Sequence, residues 1–217
     1  MRLHIAAIAL LSLAPAAAFA AQTRGFQLEA EAMGSAPFGT YMSGAKASDL
    51  YDPGGNAFGK ALFGVSRGVA IGVGVGYLHN QGSLELVVPV SRFATETITA
   101  KRSINAIPVL ALGQIHSDMH RTLSVYGEGG LGFAHLERRF SEFSPLANGF
   151  QIEPVSNFQT GTAFLLGAGL CLGAGRNWEF TLGTGWLQTF TGNGDAFRSG
   201  DNPAFLTYSI GARYPRW

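Results

Sequence analysis

Residues 69–77 read Val-Ala-Ile-Gly-Val-Gly-Val-Gly-Tyr. Val69, Ile71, Val73, Val75 and Tyr77 fall on one parity, and Ala70, Gly72, Gly74 and Gly76 on the other. Side chains of a strand alternate between its two faces, so this stretch has one bulky apolar face and one nearly bare face. A half-buried strand of a soluble protein pairs an apolar face with a polar, charged one. Here the side opposite the bulky set is glycine, which suits a crowded wall or a tightly packed interior better than a surface in water.

The same parity recurs along the chain. Leu123, Val125, Leu131 and Phe133, with Gly127 and Gly129 among them, oppose Tyr126 and Glu128. Trp178, Phe180, Leu182 and Trp186 oppose Glu179, Thr181, Gly183 and Gly185. Leu206, Tyr208, Ile210, Ala212 and Tyr214 oppose Thr207, Ser209, Gly211 and Arg213. Phe26, Leu28, Ala30 and Ala32 alternate with Gln27, Glu29 and Glu31. Two segments discriminate less, because both of their faces are apolar: Ile107, Val109 and Ala111 against Pro108, Leu110 and Leu112, and Phe164 to Leu172 against Gly161 to Cys171. Eight strand segments result, at 23–33, 57–66, 69–80, 101–115, 121–136, 159–173, 178–190 and 204–214. Most reach the 9–11 residues or so that a tilted strand needs to cross a bilayer. No run is long and apolar enough for a membrane helix; the nearest, Phe164 to Ala174, is interrupted by glycines. A chain that enters hydrocarbon without helices must close into a barrel to satisfy its backbone hydrogen bonds. The reading is an eight-stranded antiparallel up-and-down barrel with the bulky set toward lipid and the small and polar set toward the lumen. A soluble lipocalin-type barrel is the competing fold, and it would carry the opposite polarity.

The connections support the same topology. Short ones lie at Arg67-Gly68, His116 to His120 and Ala174 to Asn177, and long ones at 34–56, 81–100, 137–158 and 191–203. Short periplasmic turns alternating with long external loops are what an outer-membrane barrel shows. Pro37, Pro53, Pro145, Pro154 and Pro203 fall in the long set. Leu84 to Phe93 is an exception whose apolar residues extend the hairpin beyond the membrane.

The first twenty residues have the layout of a secretory signal. Arg2 and His4 precede the apolar run Ile5 to Leu13, and Ala18-Phe19-Ala20 supplies the small-x-small cleavage pattern. The expectation is a signal peptide at 1–20 and a barrel domain at 21–217. The 217 residues carry a formal net charge of +1 and no concentrated basic patch, so nucleic acid is not an expected partner. The single cysteine, Cys171, cannot form an internal disulfide and reads as a small packing residue.

The stretches Gly72 to His79 (GVGVGYLH), Tyr126 to Phe133 (YGEGGLGF), Gly175 to Phe180 (GRNWEF) and Phe205 to Tyr214 (FLTYSIGARY) resemble the small outer-membrane barrels, especially the OmpW-like and OmpX-like proteins. The resemblance covers nearly the whole mature chain and is one of pattern more than of strict motif. It implies a Gram-negative outer-membrane location, assembly by the outer-membrane insertion machinery, and contact with lipids and lipopolysaccharide. Members usually finish on an aromatic residue. Trp217 is similar, but it is out of phase with the outward set ending at Tyr214, and Pro215 intervenes. With three residues after the last strand, no peptidoglycan-binding domain of the OmpA type is expected.

Glu29, Glu31, Lys60, Glu128, Glu179 and Arg213 are expected in the lumen, either as a stabilising internal network or as a polar path for small solutes. Eight strands leave room for side chains or one small ligand, so a wide pore is not expected. The OmpW-like resemblance implies passage or binding of small hydrophobic compounds, through the lumenal Leu110, Leu112 and Leu165. Trp178, Tyr214 and Trp217 are candidates for the periplasmic aromatic girdle, and Tyr77, Phe133 and Phe190 for the outer one. Arg92, Lys101, Arg102, Arg138 and Arg139 lie near the outer rim, where they could meet lipid phosphates or solvent. The long loops offer a surface for lipopolysaccharide, other cells or host molecules.

An enzyme of the lipid-modifying barrel kind would need a nucleophile, a histidine base and an orienting acid. His116, Ser117, Asp118 and His120 cluster, but adjacent His116 and Ser117 face opposite sides of a strand, and the spacing departs from the His-x-Ser of the barrel deacylases. A polar turn is the simpler account, and no enzyme activity, cofactor or metal site is expected. His79 and His135 read as rim residues.

Overall fold

The computed structural model describes residues 25–38, 40–41, 45–46, 48, 50–66, 68–91, 94–120, 122–143, 155–174, 177–191 and 202–214. The signal-peptide expectation at 1–20, together with Arg92 and Trp217, lies outside them.

Among the described residues there are ten strands: β1 (Phe26–Phe38), β2 (Thr40–Tyr41), β3 (Ala45–Lys46), β4 (Gly54–Ser66), β5 (Val69–Ser91), β6 (Ala94–His120), β7 (Leu123–Phe143), β8 (Val155–Ala174), β9 (Trp178–Thr191) and β10 (Ala204–Tyr214). Eight of them form a closed barrel in the order β1-β10-β9-β8-β7-β6-β5-β4, while β2 and β3 make a separate two-residue hairpin in the first long connection. Every barrel pair is antiparallel, and β1 closes the ring between β4 and β10. Among the described residues no helix is long and apolar enough to cross a membrane.

Exposure follows the sequence parity. Ile71, Val73, Val75, Leu131, Phe133, Phe180, Leu182, Tyr208 and Ile210 are exposed, while Leu62, Leu78, Leu110, Leu112, Leu165, Leu187 and Phe205 are buried in the interior. Large apolar side chains on the outside of a closed barrel belong in hydrocarbon, which excludes the lipocalin polarity. The outward face is not bulky everywhere. On β1 and β4 it consists of Ala30, Ala32, Gly34 and Ala36 beside Gly55, Ala57, Gly59 and Ala61.

The interior glycines make room for rings. A Cβ on Gly74 would lie 2.5 Å from the Phe58 ring, and one on Gly169 would lie 2.6 Å from the Tyr126 ring. These bare faces hold aromatic side chains reaching across from neighbouring strands. Gly68 differs in kind: its φ of 77° turns the chain between β4 and β5, where its carbonyl accepts from the His116 amide at 2.6 Å.

Several boundaries differ from the sequence reading. β1 runs to Phe38, past the expected end at 33, β4 starts at Gly54 and β8 at Val155, each before its expected start. The connection expected at 81–100 is mostly strand, since β5 runs to Ser91 and β6 starts at Ala94. The stretch His116 to His120 is the end of β6, not a turn. β7 runs on to Phe143, past the expected end at 136. At 27 residues β6 is more than twice the length a membrane crossing needs. Outside the bilayer both faces of a strand meet water, so no alternation marks it, although the backbone ladder continues. The result is a barrel with one tall external wall, β5 to β7, and lower strands opposite.

Candidate functional site

The register sets the interior charges side by side. Lys60 on β4 is directly opposite Glu29 on β1, Glu29 is opposite Arg213 on β10, and Arg213 is opposite Glu179 on β9. Positive and negative groups therefore alternate across four adjacent strands at one rung. Directly opposed opposite charges are favourable neighbours in a sheet.

Each charge is held by more than one contact. The Lys60 ammonium donates to Glu31 Oε1 at 3.1 Å and to Glu128 at 2.8 and 3.1 Å, and lies 4.0 Å from Glu29 Oε2. Glu128 comes from β7, so the pair bridges the lumen. The Arg213 guanidinium donates to Glu29 Oε2 at 2.8 Å and to Gln114 Oε1 at 3.2 Å, and sits 3.6 Å from Glu179 Oε2. Gln114 in turn donates to Glu128 at 2.9 Å, which ties the two clusters together. The Tyr126 ring lies between both cations, 5.8 Å from the Lys60 nitrogen and 5.6 Å from the Arg213 guanidinium. Arg213 and Lys60 are among the most buried residues of the protein.

Above this layer, toward the outer mouth, the interior is apolar: Phe58, Leu78, Leu110, Leu112, Leu165, Leu187 and Phe205 form one cluster with Met33 against it. Between the two layers lies a cavity of about 20 Å3, lined by Glu31, Lys60, Tyr126, Glu128 and Ser209 on the polar side and by Phe58, Leu78 and Leu165 on the other. That accommodates a water molecule or so and no larger solute. At the mouth, residues 50–53 fold inward. Tyr51 is buried, the Asp52 amide donates to Gln81 O at 2.6 Å, and Asn80 donates to Asp52 O at 3.0 Å.

The structure thus places Glu29, Glu31, Lys60, Glu128, Glu179 and Arg213 in one network, and Leu110, Leu112 and Leu165 in the apolar plug above it. Tyr77, Phe133 and Phe190 are exposed on the outward face, and Trp178 packs on Tyr214 with ring centroids 4.9 Å apart at the periplasmic end. Gln114 and His116 were not singled out as lumenal, yet both belong to the network: His116 Nε2 stands 2.9 Å from Gln114 Oε1 and 3.3 Å from Arg213 Nη1. Their parity matches Leu110 and Leu112: Gln114 lies within the strand expected at 101–115, and His116 is the next residue beyond it.

The rim arginines separate by the same parity. Lys101 and Arg139 face outward and are exposed, whereas Arg102 and Arg138 turn into the barrel and are buried, away from any lipid. His79 and His135 lie on the outward side, His79 against Asn105 and His135 stacked on Phe158. Glu137 links this band, accepting from Asn105 at 3.1 Å and from Arg139 at 3.0 Å. His116 contacts lumenal groups while Ser117 is exposed outside, so the two cannot act as a base and nucleophile pair. Among the described residues no group of three or more His, Cys, Asp or Glu side chains is placed to hold a metal.

Comparison with known proteins agrees with this architecture. Neisserial surface protein A superposes with a TM-score of 0.52 at 14% identity, over 88% of this chain and 97% of that one. The attachment invasion locus protein Ail of Yersinia pestis gives 0.46 at 16% identity, over 88% and 99%, and Outer Membrane Protein W of E. coli gives 0.36 at 11%, over 88% and 97%. At 14% identity the likeness to Neisserial surface protein A is one of fold. No curated protein sequence matches the chain. The family model described as "Outer membrane protein beta-barrel domain" matches residues 6–215. With that match over nearly the whole length, the chain belongs to the outer membrane protein beta-barrel domain family, and its place is the bacterial outer membrane.

Proposed function

We propose that this protein is a plugged barrel whose work is done at the cell surface, with its outer wall set in lipopolysaccharide. The observation that carries the reading is the filled lumen. The Lys60–Glu128 bridge crosses the interior, an apolar layer seals it above, and the remaining cavity holds little more than water. Passage of small hydrophobic compounds, which an OmpW-like kinship would imply, needs free space around Leu110, Leu112 and Leu165, and those side chains are packed against one another instead. The finer kinship that suits this interior is with the small plugged barrels of the OmpX-like kind.

The exterior supports the surface role. Above the apolar belt that ends at Tyr77 and Phe133, the outward band of β5 to β7 carries His79, Lys101, Asn105, Glu137 and Arg139. Exposed cations at that height are placed to contact lipid phosphates. Among the described residues the β5–β6 hairpin stands above this band, available to a partner outside the cell.

Planar-bilayer recording on the folded protein tests the reading, with boiled protein as control. A correctly inserted barrel without discrete openings is expected. Reproducible single-channel steps would reject the plugged lumen and return the network to the role of a solute path. For the lipid contact, K101E with R139E should lower the lipopolysaccharide that copurifies with the barrel, while leaving its heat-modifiable gel shift intact. Unchanged copurification would remove the lipid role from this band.

A further inference from the structure

We propose that the outer mouth of the lumen is an anion site built on Arg102, taking a single phosphate-type group carried by a sugar or by a lipid headgroup. In the lower lumen each buried cation is answered by carboxylates: Lys60 by Glu31 and Glu128, Arg213 by Glu29 and Glu179. Arg102 is buried as deeply, at 4% exposure, and among the described residues no carboxylate lies within ion-pair distance of it. Its Nε donates to the Leu50 carbonyl at 2.6 Å, and its guanidinium lies 5.0 Å from the Tyr51 ring centroid. Among the described residues its Nη2 has no acceptor. A carbonyl and a ring orient the group without neutralising it, and a buried charge is costly unless an opposite charge meets it.

The surroundings fit an oxyanion. Arg138 also faces inward and is buried. The register pairs Arg102 with Phe140 and Arg138 with Ile104, so the two arginines are diagonal neighbours across β6 and β7. Such positions are roughly 7–8 Å apart at the backbone, so Arg138 adds a second positive charge to the neighbourhood of Arg102. The platform beneath Tyr51 is fixed: Asp52 and Asn80 pin residues 50–53 to β5, and a Cβ on Gly82 would collide with the Leu50 carbonyl. Leu50 O is therefore held where it engages Nε, while Nη2 is buried beside it with no hydrogen-bond acceptor among the described residues.

The test uses the full folded barrel, isotope-labelled, in phosphate-free lipid. The Arg102 side-chain Nε–Hε resonance is followed during titration with inorganic phosphate and with a hexose phosphate, against chloride at equal ionic strength. A second series uses nanodiscs containing phosphorylated or dephosphorylated lipid A. A saturable shift with the soluble phosphates identifies a soluble ligand, and one confined to phosphorylated lipid A identifies a headgroup. R102Q should weaken binding about tenfold or more, and R102K should fall between. R102Q is checked for folding by its heat-modifiable band. If it fails to fold, R102K and the wild-type resonance still decide. No saturable shift in either series, or R102 variants binding as tightly as wild type, overturns the proposal.

Discussion

Lys60 is where removal of a few atoms should do the most damage. Its ammonium is 2.8 Å from one Glu128 oxygen, 3.1 Å from Glu31 and 4.0 Å from Glu29, with the side chain almost fully buried. Lys60→Met keeps the approximate volume of the chain and deletes the charge. Three carboxylates then face one another in an interior with little water, with Arg213 close to only one of them. Breaking a buried ion pair by removing one partner costs about 3–5 kcal/mol, because the remaining charge is left uncompensated. Three acids sharing one cation place Lys60→Met in the upper part of that range. Glu31→Gln should cost less, about 1–2 kcal/mol, because Lys60 retains Glu128 and Glu29. Adding Glu31→Gln and Glu128→Gln to Lys60→Met should recover part of the loss, because two of the three uncompensated carboxylate charges are then gone. The assay is reversible urea unfolding in lipid vesicles, followed by tryptophan emission and by the heat-modifiable gel shift. If Lys60→Met costs under about 1 kcal/mol, or if the triple variant is less stable than the single one, the network does not hold the barrel as described.

Other outcomes follow from the two faces of the wall. Gly169→Val should prevent folding or cost more than about 3 kcal/mol by displacing the Tyr126 ring, whereas Gly127→Leu, whose Cβ meets nothing within 4 Å, should stay within about 1 kcal/mol of wild type; the same unfolding assay distinguishes them. Trp178 and Trp186 are both outward, so brominated lipids should quench each in single-tryptophan variants, with Trp186 quenched best by deeper labels and Trp178 by labels near the headgroups. Quenching of neither would mean that the apolar face is not in lipid.

The interior shows why a charge set can be legible while its purpose is not. Parity along β1, β4, β7, β9 and β10 places Glu29, Lys60, Glu128, Glu179 and Arg213 on the inner side. Parity does not say which rung of one strand meets which rung of the next. The alternation of Lys60, Glu29, Arg213 and Glu179 at one level depends on the shear of the closed barrel, which no local pattern encodes. The same holds at the mouth. Lys101 and Arg102 are neighbours in the chain with equal charge, and their place at the start of the strand expected from 101 assigns both to the rim. With β6 starting at Ala94, its pleat turns Lys101 outward and Arg102 into the barrel.

What the sequence by itself determined is the inverted barrel: its alternation of bulky and bare faces, its eight membrane crossings and the absence of a spanning helix. Those properties are local, since each strand must satisfy lipid on one side and a crowded lumen on the other. Only the tertiary structure decided that the Lys60 and Arg213 clusters join across the lumen, that β5 to β7 outrun the other strands, and that Arg102 lies buried with no carboxylate within ion-pair distance among the described residues. These depend on inter-strand register and on chain returning from outside the membrane, where water accepts either face of a strand and leaves no periodic mark in the sequence.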